Sequence, residues 1–173
     1  RLETERQLLD ANDNLEKQVK ERTAQLRMEN EARKKAQRVL EHHEERLRTI
    51  LETAPDGIIT IDQTGIIESI NPAAAAIFGY DHDEIIGKSV RVLMPEPIST
   101  EHDEYLKNYL KTGHARIMGQ AREVEGKRKN GEIFPLSITV GETNVRNEIL
   151  FTASIRDITG RKAVEESLRL ATR

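Results

Sequence analysis

The 173 residues carry a formal net charge of −3, with 33% charged and 3% aromatic residues and neither Cys nor Trp. Without Cys there is no disulfide framework, thiolate metal site, thiol nucleophile or thioether-linked chromophore. No apolar run of about eighteen residues would span a membrane and no secretory signal opens the chain, while the balanced charge argues against a dedicated nucleic-acid surface.

The average hides two compositions. Residues 1–53 hold no Gly, Pro or aromatic residue and carry 12 Lys/Arg and 12 Asp/Glu; the first Pro is Pro55, the first Gly is Gly57 and the first aromatic is Phe78. This predicts a long helix over 1–53. Leu8, Leu15, Ala36 and Ile50 repeat at one seam position of a heptad, and Val19, Leu26, Leu40 and Leu47 at the other. Arg22, Glu29 and Arg33 interrupt that seam, and Met28, Ala32 and Val39 suggest a shift of phase there. Pairs such as Glu16/Lys20, Glu29/Arg33 and Glu31/Lys35 stand i,i+4 in the favourable order, each worth ~0.3 kcal/mol, too little to hold a lone helix of this length. A parallel homodimeric coiled coil is therefore expected, with a solvated single helix as the alternative.

Ala54-Pro55-Asp56-Gly57 ends the helix, because Pro55 disfavours helix at Ala54. Ile58–Asp62 and Ile66–Ile70 around Gln63-Thr64-Gly65 predict a β-hairpin. Asn71-Pro72 places a capping residue before a helix over Ala73–Phe78, which Gly79 stops. Asp81 and Glu84 have the spacing of a capping box for a short helical turn. Leu93–Pro97 reads as a rigid loop, and Ser99 or Thr100 as the cap of a helix to about Thr112, ended by Gly113. Three strands follow: Ile117–Lys129, Ile133–Thr143 after the Asn130-Gly131 turn, and Ile149–Ile158 after Arg146-Asn147. Gly160–Arg173 opens a second polar helix with Ala163, Val164, Leu168 and Leu170 as its sparse apolar face.

The order β-β-α-α-α-β-β-β, closed by Asp157-Ile158-Thr159, resembles a PAS domain. The resemblance covers about residues 47–162 and implies an α+β PAS fold: a five-stranded antiparallel sheet with short helices on one face. It divides the chain into a coiled-coil signalling helix (1–53), a PAS sensory domain (54–159) and the start of a C-terminal output helix (160–173). A narrower match runs through Leu93-Met94-Pro95-Glu96-Pro97, His102-Asp103-Glu104-Tyr105, Tyr109, Gly119, Arg122, Gly126-Lys127-Arg128, Phe134-Pro135 and Gly141-Glu142, which resemble the FixL-type oxygen-sensing haem PAS domains. That likeness implies haem b with His102 as its iron ligand and Arg122, twenty residues later, as the group that meets bound gas or a propionate.

The residues suit that chemistry in their own right. Haem needs one neutral imidazole on a firm element, an apolar slot and cations for its propionates. Period two on the strand from Ile117 places Met118, Gln120, Arg122 and Val124 on one face, and Ile138 and Val140 share a face of the next strand. An Arg beside a polarised diatomic ligand stabilises its partial negative charge. Where FixL-type domains have an arginine six residues past the ligand this chain has Asn108, so propionate pairing passes to Arg116 or Lys107. Gln120 replaces an apolar residue and either hydrogen-bonds a ligand or makes the slot polar; Met118 is either a sixth ligand or core. Tyr105 belongs to the same motif.

His42 and His43 point apart on the helix, and His82 and His114 sit in turns, so all four are expected to be structural or solvated. Glu123, Glu125 and Glu142 are expected to pair with the Lys127–Lys129 run. There is no Gly-rich phosphate loop, nucleophile elbow or zinc motif. Two readings follow. The first is a haem-based sensor of oxygen or another diatomic gas from a bacterial signalling protein, a histidine kinase by resemblance. It passes its signal through dimeric coiled coils to an output domain downstream. The second is a haem-free PAS module for dimerisation, relay or another small ligand. Both leave the fragment non-enzymatic, cytoplasmic and without membrane contact of its own, from a parent that begins before Arg1 and is either soluble or membrane-anchored.

Overall fold

The computed structural model describes residues 1–113 and 119–173. Its chain divides into two compact units, Arg1–Thr49 and Ile50–Arg173. The first is helical from Leu2 onward and belongs to α1 (Leu2–Thr53), none of whose residues is buried. At 1.5 Å per residue α1 is ~78 Å long.

The second unit is built on strands β1 (Gly57–Asp62), β2 (Ile67–Ile70), β3 (Arg122–Lys127), β4 (Ile133–Val145) and β5 (Glu148–Asp157). They form one antiparallel sheet in the order β2-β1-β5-β4-β3. Directly opposed residues share a face. The pairings Ile61↔Phe151, Gly57↔Ile155, Ile138↔Ile155 and Gly126↔Phe134 therefore define an inner face, where Ile59, Ile61, Phe134, Leu136, Phe151 and Ile155 are buried. The helices α2 (Pro72–Phe78), α3 (His82–Ile85) and α4 (Ile98–Thr112) contribute Ala74, Phe78, Ile85 and the half-buried Leu106 and Tyr109 to the same core. Phe78 meets Phe134 edge-on at 5.6 Å, which closes α2 against β4. Gly126 is required there, since a Cβ would collide with Leu136 and Phe134.

Asn71 caps α2 as the Asn-Pro pair predicts, and does more. Its Oδ1 accepts from Ala74 N and Ile58 N, and its Nδ2 donates to Leu51 O and Asp56 O. One buried amide thus ties the last turn of α1, the entry to β1 and the start of α2. Gly79 and Gly113 end α2 and α4 in the left-handed conformation. Arg146 and Asn147, both at positive φ, make a two-residue hairpin turn of the kind that matches strand twist.

Several local expectations are corrected. Asp81 forms no side-chain cap, and the Glu84 carboxylate binds Lys129 instead. Neither Ser99 nor Thr100 caps α4. The helix already starts at Ile98, the Ser99 hydroxyl donates to Arg91 O, and Thr100 Oγ1 donates to Glu96. A 3-10 turn (Val90–Leu93), entered through Ser89, precedes the Met94–Pro97 loop. β3 begins at Arg122, and the expected strand residues Ile117 and Met118 lie outside the described residues. β4 extends to Val145, and the last helix, α5, starts one residue early and spans Thr159–Ala171. No helix among the described residues is long and apolar enough to cross a membrane.

Candidate functional site

The stripe of α4 that faces the sheet carries His102, Leu106 and Tyr109, at positions i, i+4 and i+7. His102 Nδ1 is buried and finds no hydrogen-bond partner among the described residues. Burial pushes the pKa of this imidazole below its ordinary value; the neighbouring Asp103 opposes that shift and the Arg91 cation adds to it. The neutral ring is thus the favoured form. A neutral imidazole with a sheltered nitrogen free of competing bonds is the chemical state an axial metal ligand requires.

The first turns of α4, which carry His102, are well anchored. Arg91 donates from Nε to Ser99 O at 2.8 Å and from Nη1 to Asp103 at 3.3 Å, while Ser99 Oγ returns a bond to Arg91 O. These contacts fix the first turns of α4 on the 3-10 turn. Seven residues beyond His102, Tyr109 stacks edge-on against Phe151 at 5.5 Å and donates its hydroxyl to the Glu142 carboxylate. That carboxylate raises the Tyr109 pKa. Neither the Arg91–Asp103 contact nor the Tyr109–Glu142 pair is evident from sequence. The sequence signals the second only in that Tyr109 and Glu142 both belong to the stretch that resembles haem PAS domains.

The remaining predicted residues are placed as follows. Arg122 pairs with Ile138 in the β3–β4 register, so it shares the inner face with Ile138 and Val140, although its side chain is exposed. Ile138 and Val140 are half-buried against the core. Gln120 is exposed just before β3, following Gly119, whose N–H donates to Val140 O. Tyr105 stands 59% exposed and does not join the stripe that faces the sheet. Met118, Arg116 and His114 lie outside the described residues. The expected pairing of strand glutamates with the Lys127–Lys129 run gives way to other partners. Glu142 binds Tyr109, and Glu123 binds Arg161 and Lys162 of α5. Arg128 lies over the Phe134 ring, donates to Ile77 O, and pairs with Glu132 and Asp157. Asp157 also accepts from Thr159 N and Oγ1 at the entry to α5.

This sheet order, with three helices over one face and a helical exit after Asp157-Ile158-Thr159, coincides with a match to the PAS fold family over residues 45–164. The chain belongs to the PAS family. Among curated relatives, the sensor protein FixL of Bradyrhizobium diazoefficiens is 39% identical over 136 residues, covering 79% of this chain and 27% of that protein. The cell-division control histidine kinase PdhS of Brucella ovis is 38% identical over 146 residues, covering 84% of this chain and 14% of its own length. The chain thus spans well under a third of either relative. Among solved structures, the PAS domain of an HTR-like protein from Haloarcula marismortui superposes with a TM-score of 0.60 at 27% identity, over 72% of this chain and 99% of that one. A PAS domain is a sensory, non-catalytic module, and residues 45–164 match that family.

Proposed function

We propose that this PAS domain is the gas-sensing module of a cytoplasmic sensor histidine kinase, holding haem b on His102. The observation that carries the reading is the buried, unpartnered Nδ1 of a neutral-favoured imidazole on the sheet-facing stripe of α4. Similarity to FixL and PdhS supports the kinase context. Haem, when bound, would supply an iron centre that takes oxygen or another diatomic gas. His102 holds that centre from α4, and the Arg91–Ser99–Asp103 contacts keep the turn bearing it in place. Ile138 and Val140 supply the apolar wall. Arg122, on the same face as Ile138, is the cation available to a polarised ligand or a propionate. In this reading Gln120 and Met118, two and four residues before Arg122 in sequence, are the further candidates for the same wall, and Arg116 remains the candidate for propionate pairing in place of Asn108.

In the same reading residues 1–53 form a parallel dimer with a second copy, which covers the exposed stripe of Leu15, Val19, Leu26, Leu40 and Leu47. Residues 54–159 sense, and residues 160–173 begin the route to an output domain carried by the rest of the parent chain. The test is a haemin titration of the purified 173-residue chain. One haem per chain, with a Soret band that shifts on adding carbon monoxide after reduction of the iron with dithionite, supports the reading; failure to take up haem overturns it.

One feature favours the haem-free alternative. Tyr109 packs on Phe151 and binds Glu142, which closes part of the space between α4 and the sheet with the chain's own side chains. A colourless protein whose thermal stability is indifferent to haemin supports this second reading, a module for dimerisation, relay or another small ligand.

A further inference from the structure

Glu123 follows Arg122 directly, so the two side chains leave β3 on opposite faces. The Glu123 carboxylate is ion-paired with both Arg161 and Lys162, the latter through Nζ at 2.6 Å. Both cations stand in the first turn of α5, which holds no acidic residue. Helix electrostatics does not account for them. The amino end of a helix carries partial positive charge, and Lys or Arg there is unfavourable. They are placed for an acceptor outside the first turn, and two acceptors compete for them. Glu165, one turn on in the same helix, lies 3.6 Å from Arg161 and 4.0 Å from Lys162. The cations are therefore partnered whether β3 or α5 itself supplies the carboxylate. All these groups are substantially exposed, so the contact adds little to global stability and breaking it does not unfold the domain. What it fixes is position.

We propose that Glu123 is the residue that couples the sensing strand to the output helix, holding Arg161 and Lys162 against β3 and leaving them to Glu165 alone when β3 shifts. This deepens the reading given above, since only the direction of the signal rests on Arg122 being the ligand-facing residue; the contact itself does not.

Hydrogen exchange of the 173-residue chain at low ionic strength tests the coupling without any ligand. Glu123→Gln is expected to speed exchange of amides in the first two turns of α5 by roughly three- to ten-fold, with β1 and β5 unchanged. Glu123→Lys combined with Lys162→Glu on an Arg161→Gln background, which re-forms the pair with its charges exchanged and leaves no like charge against it, is expected to restore protection. Unchanged α5 exchange in Glu123→Gln, or no recovery in the exchanged pair, overturns the proposal. In haemin-loaded chain reduced with dithionite, carbon monoxide is expected to alter α5 exchange in the parent sequence. In Glu123→Gln that response is lost while the Soret shift is retained, and an α5 response that persists overturns the coupling role. Failure of the chain to take up haemin defeats the haem reading alone, because the ligand-free exchange comparison still decides this one.

Discussion

The two halves of the molecule are stabilised in opposite ways. In α1, Leu26, Leu40 and Leu47 are apolar residues at helical spacing that touch no core, and every one of the helix's residues is exposed. In the domain, Phe78, Phe134, Ile59, Ile67 and Ile85 are almost wholly removed from water. Among the described residues the expected Glu16/Lys20, Glu29/Arg33 and Glu31/Lys35 ion pairs are not formed. A helix of this length that buries nothing within its own chain therefore draws its persistence from its backbone hydrogen bonds and from whatever covers its stripe. The domain draws its stability from burial. If the proposed dimer forms, substitutions should separate cleanly: core changes act on a single chain, whereas α1 changes act through association.

The largest effect is expected at Phe134. Phe134→Ala removes the ring that packs on Phe78 and beneath Arg128, and should cost about 3–5 kcal/mol in chemical denaturation. Asn71→Ala comes next. It strands the amides of Ala74 and Ile58 and the carbonyls of Leu51 and Asp56, for a loss of about 2–3 kcal/mol in the same measurement.

The pH dependence gives a smaller, directional test. The His102 pKa is lower in the fold than its ordinary value of 6.5, so below that value the unfolded chain binds a proton that the folded chain resists. The His102 contribution is fully present above about pH 7 and is lost as pH falls through the lowered folded-state value. His102→Gln should flatten the stability profile across that interval. Asp157, whose pKa is held down by Thr159 and Arg128 against the opposing effect of burial, loses its contribution only at lower pH, below the ordinary aspartate range. A profile unchanged by His102→Gln would mean that the imidazole is solvated.

The smallest effect is expected in α1. Leu40→Lys should leave the denaturation midpoint of the domain within ~0.5 kcal/mol while weakening self-association in sedimentation and making the helical signal fall on dilution. An equal loss of domain stability would erase the distinction between the halves.

Much of the fold was legible because punctuation residues act locally. Asn71-Pro72, Gly79, Gly113 and Asn130-Gly131 each start or stop an element where the chain alone says they should. The misreadings arose where a side chain had a better partner at long range. Ser99 turned its hydroxyl to Arg91, eight residues back, and Glu84 went to Lys129 across forty-five residues. Of the candidate site, two-residue alternation indicated which face of its strand Arg122 takes, and the strand register sets it opposite Ile138; the α4 stripe that joins His102 to Leu106 and Tyr109 is seen only in the structure. Contacts that join distant segments, such as Tyr109 with Glu142 or Glu123 with Arg161, depend on how the sheet and helices are assembled, and no local pattern encodes them.

The central claim, that His102 is an axial ligand rather than a buried core histidine, is tested most directly by the absorption spectrum of the haemin-reconstituted chain beside that of His102→Gly, with and without added imidazole. The account predicts a Soret band in the parent sequence, its loss in His102→Gly, and its return when free imidazole fills the vacated position. A band of equal strength and position in His102→Gly without imidazole, or none in the parent sequence, would contradict it.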